Sequence, residues 1–178
     1  FGLGAVLCWG VSDFTGGYAA KTSDAFRVTA LAHAGGFVLM TSFAVLTNAT
    51  YPSRGSAGWA LAAGTLGGAA LAIFYRSLAS GRMGLTAPIS AVLGAGIPTL
   101  LGIRMQGLPG TLPLVGFALA GVGIWLISRQ EDHDAPVKGL GLAILAGIGF
   151  AGFFLCINRT GNSSALWSAA QSRFASLI

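Results

Sequence analysis

Apolar blocks of membrane-crossing length, separated only by short polar joints, constrain this chain more than any motif in it. The blocks cover residues 1–20, 25–46, 57–78, 86–103, 113–127, 139–157 and 164–178. A helix needs about 20 such residues to cross roughly 30 Å of hydrocarbon. Six blocks suit a crossing, the short fifth by extending back through Leu108, and a seventh is begun. Only 8% of the residues are charged and 54% are hydrophobic, against about 25% charged in a typical soluble domain. Such a chain has too little charge to cover its own surface in water, so its expected solvent is a lipid bilayer. The expected fold class is all-α: a polytopic helical membrane protein, with no joint long enough to form a separate soluble domain.

The net charge of +5 comes from ten basic residues spread singly between the blocks. Nucleic-acid binders gather such charge into a stripe, and no nucleic-acid partner is expected here. In a membrane protein these residues mark helix ends and orientation. Joints one, three and five hold Lys21, Arg27, Arg76, Arg82, Arg129 and Lys138, whereas joints two, four and six hold Arg54, Arg104 and Arg159. The positive-inside rule then places the odd joints in the cytoplasm and Phe1 outside. The most polar joint, "QEDHDAP", sets His133 among three acids; a run of adjacent acids ordinarily stays in water, so it reads as a solvated linker. Cys8 and Cys156 lie in different apolar blocks and suggest neither a disulfide framework nor a metal site. The first block lacks a basic n-region and carries Asp13, unlike a signal peptide. Because the chain opens and stops inside apolar blocks, it is expected to be an internal piece of a longer protein.

Asp13 is the residue most in need of explanation, because a charge at the centre of a membrane helix costs about 2.5–3.5 kcal/mol on insertion scales. On a helical wheel Trp9, Gly10, Asp13, Gly16 and Gly17 share a small, polar face, while Leu7, Val11, Phe14 and Tyr18 form a lipid-facing stripe. Two readings stand side by side. Asp13 is either an acid that binds a cationic group or carries a proton, or a carboxylate bonded to neighbouring hydroxyls such as Ser12. Arg76 shares a face with Thr65, Ala69 and Ala72 near the end of its block; it reads as snorkelling to the interface, with contact to an anionic substrate or Asp13 as the alternative. Tyr75 beside it reads as an interface anchor. His33, on a face with Thr29, Gly36 and Met40, reads as a packed, hydrogen-bonded histidine before a proton relay. Arg173, about nine residues into the last block, must find an acid, carbonyls or water. Trp9, Asp13, His33 and Arg76 are the candidate substrate-binding or coupling residues.

Pro88 and Pro98 in "TAPISAVLGAGIPTLLG" each remove a backbone donor, leaving carbonyls free. The 28 glycines, among them Gly64 and Gly68, allow close helix approach. H-E-x-x-H, G-x-S-x-G and P-loop patterns are missing, so no catalytic residues, metal, cofactor or enzymatic activity are expected.

The sixth block repeats the first. Aligning "FGLGAVLCWGVSDF" with "LGLAILAGIGFAGF" matches Gly2 with Gly141, Leu3 with Leu142, Gly10 with Gly149 and Phe14 with Phe153. With one extra residue in the following joint, His33 falls opposite Arg173, while Asp13 falls opposite Gly152. A repeat unit of five helices must enter the membrane inverted, a transporter signature with the substrate site between the copies.

Several segments resemble the EamA family of the drug/metabolite transporter superfamily. "LCWGVSDFTGGYAAK" is similar to that family's first helix, and "IFYRSLASGRMGLTAPISAVLGAGIPTLLGI" to its third-to-fourth helix passage. "LPLVGFALAGVGIWLISR" resembles the fifth helix and "GLGLAILAGIGFAGFFLCINR" the sixth. The resemblance implies ten helices in two inverted five-helix repeats, of which residues 1–130 form the first, 131–138 the inter-repeat joint and 139–178 the truncated start of the second. It implies a multi-pass transporter of the cell inner membrane with a central cavity for small organic metabolites or their export; alternating access is the expected mode, with proton coupling through Asp13 as a further expectation. The implied partners are lipid and a small-molecule substrate, with homo-oligomerisation compatible. The alternatives are a passive facilitator and a structural or accessory membrane protein. This chain departs from the family in having Gln106 of "MQGLP" where Gly-Glu is frequent. The family's arrangement also places both termini in the cytoplasm, opposite to the charge count. Expressed in a bacterial host, the full chain is expected to stay in the membrane pellet through an alkaline carbonate wash; release into the supernatant would overturn the membrane assignment.

Overall fold

A computed structural model describes residues 2–80, 83–129 and 139–178. Arg82 and the joint 131–138 with His133 lie outside the described residues. Seven helices follow one another: α1 (Gly2–Ala19), α2 (Ala25–Leu46), α3 (Arg54–Ser80), α4 (Met83–Gln106), α5 (Thr111–Arg129), α6 (Leu140–Asn158) and α7 (Ala165–Ala175). No strand occurs among the described residues. Helices α2, α3, α4 and α6 are each long and apolar enough to cross a membrane, and α5 holds a shorter apolar stretch. At 1.5 Å per residue, the 22 residues of α2 cover the hydrocarbon thickness.

The polar joints end the helices by supplying caps. Asp24 accepts a hydrogen bond from the Arg27 amide at the start of α2, and Ser164 accepts one from the Trp167 amide at the start of α7. These caps satisfy backbone donors that have no partner inside the helix. Ser53 receives the Ser56 amide in the same way, which lets α3 begin at Arg54, inside what reads as a polar joint. Both prolines lie within α4, so neither ends it. Gly139 precedes α6 with φ +89°, a left-handed conformation that suits glycine. Its carbonyl accepts from the Ser77 hydroxyl at 3.0 Å.

Helix α3 is the centre of the bundle, and α6 lies between it and α4. The approach is close because the facing residues are small. A methyl group added at Gly64 would overlap the Ser172 carbonyl of α7, and one at Gly149 would lie 2.8 Å from the Ala70 Cβ. On the other side of α6, a methyl at Gly147 would lie 2.7 Å from the Leu93 Cβ, and the Ser90 hydroxyl donates to the Ala143 carbonyl at 2.8 Å. Lipid supplies no hydrophobic drive between helices, so such backbone approach and interhelical hydrogen bonds hold them together. Helices α2 and α7 run antiparallel: His33 meets Ser176, whereas the later Ala49 meets the earlier Trp167. Many large side chains face outward, including Leu7, Val11, Phe14 and Tyr18, the expected lipid stripe of α1, whereas Phe74, Tyr75 and Leu78 of α3 are buried.

Gly64→Ala is expected to destabilise the protein by about 1–3 kcal/mol through overpacking, whereas Gly4→Ala, with nothing within 4 Å of the added methyl, leaves stability unchanged. Thermal unfolding of both variants in detergent checks the contrast.

Candidate functional site

The first helix touches the bundle chiefly through its C-terminal third. Up to Ser12 its residues are exposed on every side, Asp13 is half-buried, and Gly16 and Gly17 are buried. A methyl at Gly16 would strike the tip of the Tyr75 ring, and one at Gly17 would lie 2.6 Å from Leu78 Cδ1. The missing side chain at Gly16 therefore makes room for the tyrosine of α3. Tyr75 is only 1% exposed, so the sequence reading of it as an interface anchor is corrected: it is a core residue. Its ring lies near Ser12 and within electrostatic reach of both Asp13 and Arg173.

Arg173 reaches this region from α7. Its side chain lies along α2 where Gly36 has none; a methyl there would sit 3.0 Å from Nε and 3.3 Å from Cδ. Beside it, His33 is buried and shares a hydrogen bond between Nδ1 and the Ser176 hydroxyl. That hydroxyl donates its one proton to the Arg173 carbonyl at 2.6 Å, so Nδ1 of His33 is the donor to Ser176. A chain from His33 through Ser176 to the Arg173 backbone thus fixes the turn that carries the guanidinium. This agrees with the reading of His33 as a hydrogen-bonded packing residue.

The side chains of Asp13 and Arg173 form no ion pair or hydrogen bond with each other or with any other described residue. The reading in which Ser12 bonds the Asp13 carboxylate is corrected too: no hydrogen bond joins them among the described residues, and the Thr15 hydroxyl bonds the Val11 and Ser12 carbonyls. No protein family model, curated protein or solved structure matches this chain. The site therefore rests on its geometry alone.

The remaining candidates lie elsewhere. Trp9 is 58% exposed and stacks on Phe154 of α6, with centroids 6.0 Å apart; it walls the outer α1–α6 seam rather than the Tyr75 cluster. Arg76 is exposed and lines a groove of about 320 Å³ with Ser23 and Asp24 at the α1–α2 joint, the snorkelling position. Two residues central to the cluster, Tyr75 and Arg173, were undervalued from sequence. The available signal was Gly16 on the face of Asp13, a gap that a large side chain fills. Among the described residues no group of three or more His, Cys, Asp or Glu is placed to hold a metal ion.

His33→Ala is expected to cost about 1–3 kcal/mol, because it removes a buried hydrogen bond and leaves Ser176 without its donor. Asp13→Asn breaks no protein contact and should change stability by less than about 0.5 kcal/mol. Thermal unfolding in detergent distinguishes the two.

Proposed function

We propose that this chain belongs to a membrane transporter of the EamA kind that moves a small organic solute by alternating access, with the Asp13–Tyr75–Arg173 cluster as its substrate site. The carrying observation is that an acid on α1 and a base on α7, each half-buried and each with no ion pair or side-chain hydrogen bond among the described residues, both lie within electrostatic reach of one buried tyrosine. Ionisable groups inside membrane helices are costly, and where they persist they mark solute or proton pathways. An accessory protein in which Asp13 pairs internally has no such partner to offer among the described residues.

The repeat reading gains support from the packing. The turn between α1 and α2 covers residues 20–24, and that between α6 and α7 covers 159–164, one residue longer, each ending in a side-chain cap. This is the register that sets His33 opposite Arg173, and it sets Gly36 opposite Ser176. In the structure His33 touches Ser176 and Gly36 abuts Arg173. Each contact becomes the other when the repeats are exchanged, the behaviour of residues around a two-fold axis. Antiparallel α2 and α7 support an axis that runs across the helices, the arrangement proposed here for inverted repeats. We place the protein in the cell inner membrane on this reading, with no enzymatic activity.

Solute counterflow tests it. Full-length protein in liposomes, screened with labelled amino acids, amines and nucleosides, is expected to exchange at least one solute class saturably, and Asp13→Asn should lower that exchange about tenfold or more. A well-folded protein that exchanges none of them would overturn transport, and a non-saturable flux would mark a passive facilitator.

A further inference from the structure

We propose that the groove at the α1–α2 joint binds the headgroup of a phosphatidylethanolamine lipid, its phosphate on Arg76 and its ammonium on Asp24. The groove, of about 320 Å³, has Ala20, Ser23, Asp24, Phe26, Arg76 and Ala79 in its walls. It thus brings together one acid and one base, and these form no ion pair with each other or with any other described residue. The Asp24 carboxylate takes part in one hydrogen bond, from the Arg27 amide to Oδ1, which leaves Oδ2 without a protein donor. The Ser23 hydroxyl makes no hydrogen bond among the described residues, and neither does the Arg76 guanidinium. The site is separate from the Asp13 cluster: Tyr75 is buried, whereas Arg76, the next residue of α3, is exposed. It therefore stands whether or not the cluster carries a solute.

The place of the groove selects a lipid over a soluble solute. It lies where α1 ends at Ala19 and α2 begins at Ala25. Because α2 is of membrane-crossing length, its first turn falls at the level of the headgroups. Lys21 and Arg27 stand exposed on the same joint, and basic residues at such a boundary attract anionic lipids without much selection. Asp24 changes that preference. It repels a headgroup that carries only negative charge and attracts one that also carries an ammonium. The ammonium of ethanolamine only donates, and Asp24 Oδ2 and the Ser23 hydroxyl are acceptors for it on adjacent residues. A choline headgroup has the same charges but no N–H to give. The guanidinium presents a planar fork that fits two phosphate oxygens. Phe26 in the groove wall is 55% exposed and offers an aromatic face at the membrane boundary, where such rings are favoured.

The decisive comparison is among phosphatidylethanolamine, phosphatidylcholine and phosphatidylglycerol with identical acyl chains. Native mass spectrometry of the full-length protein in detergent, titrated with each lipid, gives the binding. Phosphatidylethanolamine is expected to bind about fivefold or more tightly than either of the others. Asp24→Asn keeps a side-chain oxygen for the α2 cap, since Asn and Asp cap equally well, but removes the charge. It should abolish the preference over phosphatidylglycerol. Arg76→Gln should weaken the binding of phosphatidylethanolamine by about fivefold and leave the melting temperature in lipid-free detergent unchanged. Phosphatidylglycerol that binds the unaltered protein as well as phosphatidylethanolamine would overturn the proposal in favour of an unselective basic boundary. Equal binding of phosphatidylcholine would remove the role given to the ammonium protons. A preference for phosphatidylethanolamine that both variants retain would place the lipid elsewhere on the protein. If the water-soluble headgroup, glycerophosphoethanolamine, displaces the lipid at equal concentration, the acyl chains contribute nothing and the groove is a site for a soluble solute. The lipid comparison on the unaltered protein decides the first two cases even if a variant misfolds.

Discussion

Everything in this bundle depends on how near other backbones come to α3. In lipid, helices gain little by hiding apolar surface from one another, because the tails around them are equally apolar. What remains is dispersion contact, which falls away within an ångström of separation, and hydrogen bonds across the seam. The small residues of α3 and α6 meet that demand: Gly64 admits the Ser172 backbone, and Gly149 fits against Ala70. Serines then add directional ties, Ser90 to the Ala143 carbonyl and Ser77 to that of Gly139. Larger residues at the glycines would open these seams and disperse the groups that the packing brings together.

The same close approach creates the polar cluster. Tyr75 sits under α1 because Gly16 leaves it room, and Arg173 lies close along α2 where Gly36 has no side chain. Two absent side chains thus determine where a hydroxyl and a guanidinium point. Burying these groups is costly, and the protein supplies neither Asp13 nor Arg173 with an ionic partner among the described residues. The relay from His33 through Ser176 meets the backbone needs of the α7 turn without satisfying the guanidinium itself.

The helices were legible in the sequence because length and hydropathy suffice to define them, and each structural helix falls within or around an apolar block. The starts were less so. Ser53 caps α3 earlier than hydropathy suggests, since a cap acts through one hydroxyl that block averages ignore. Asp13 stood out because a lone carboxylate in an apolar block is conspicuous by itself. Tyr75 and Arg173 did not, because their roles come from what faces them across a helix seam, and a wheel drawn for one helix carries no information about its neighbour. Arg76 lies exposed near the end of α3, whereas Arg173, in the last turn of α7, is half-buried.

Helix α1 meets the bundle at its C-terminal third, whereas α7 is tied to α2 along its length by Arg173 on Gly36, the Ser176 bond, and Trp167 donating to the Ala49 carbonyl at 2.9 Å. The two charged poles are therefore mounted differently. The guanidinium belongs to a braced wall, while the carboxylate sits on a helix held by the Gly16–Gly17 contact and by Trp9 stacked on Phe154. The distance between carboxylate and guanidinium therefore follows from how α1 rests on Tyr75 and Leu78 at Gly16 and Gly17.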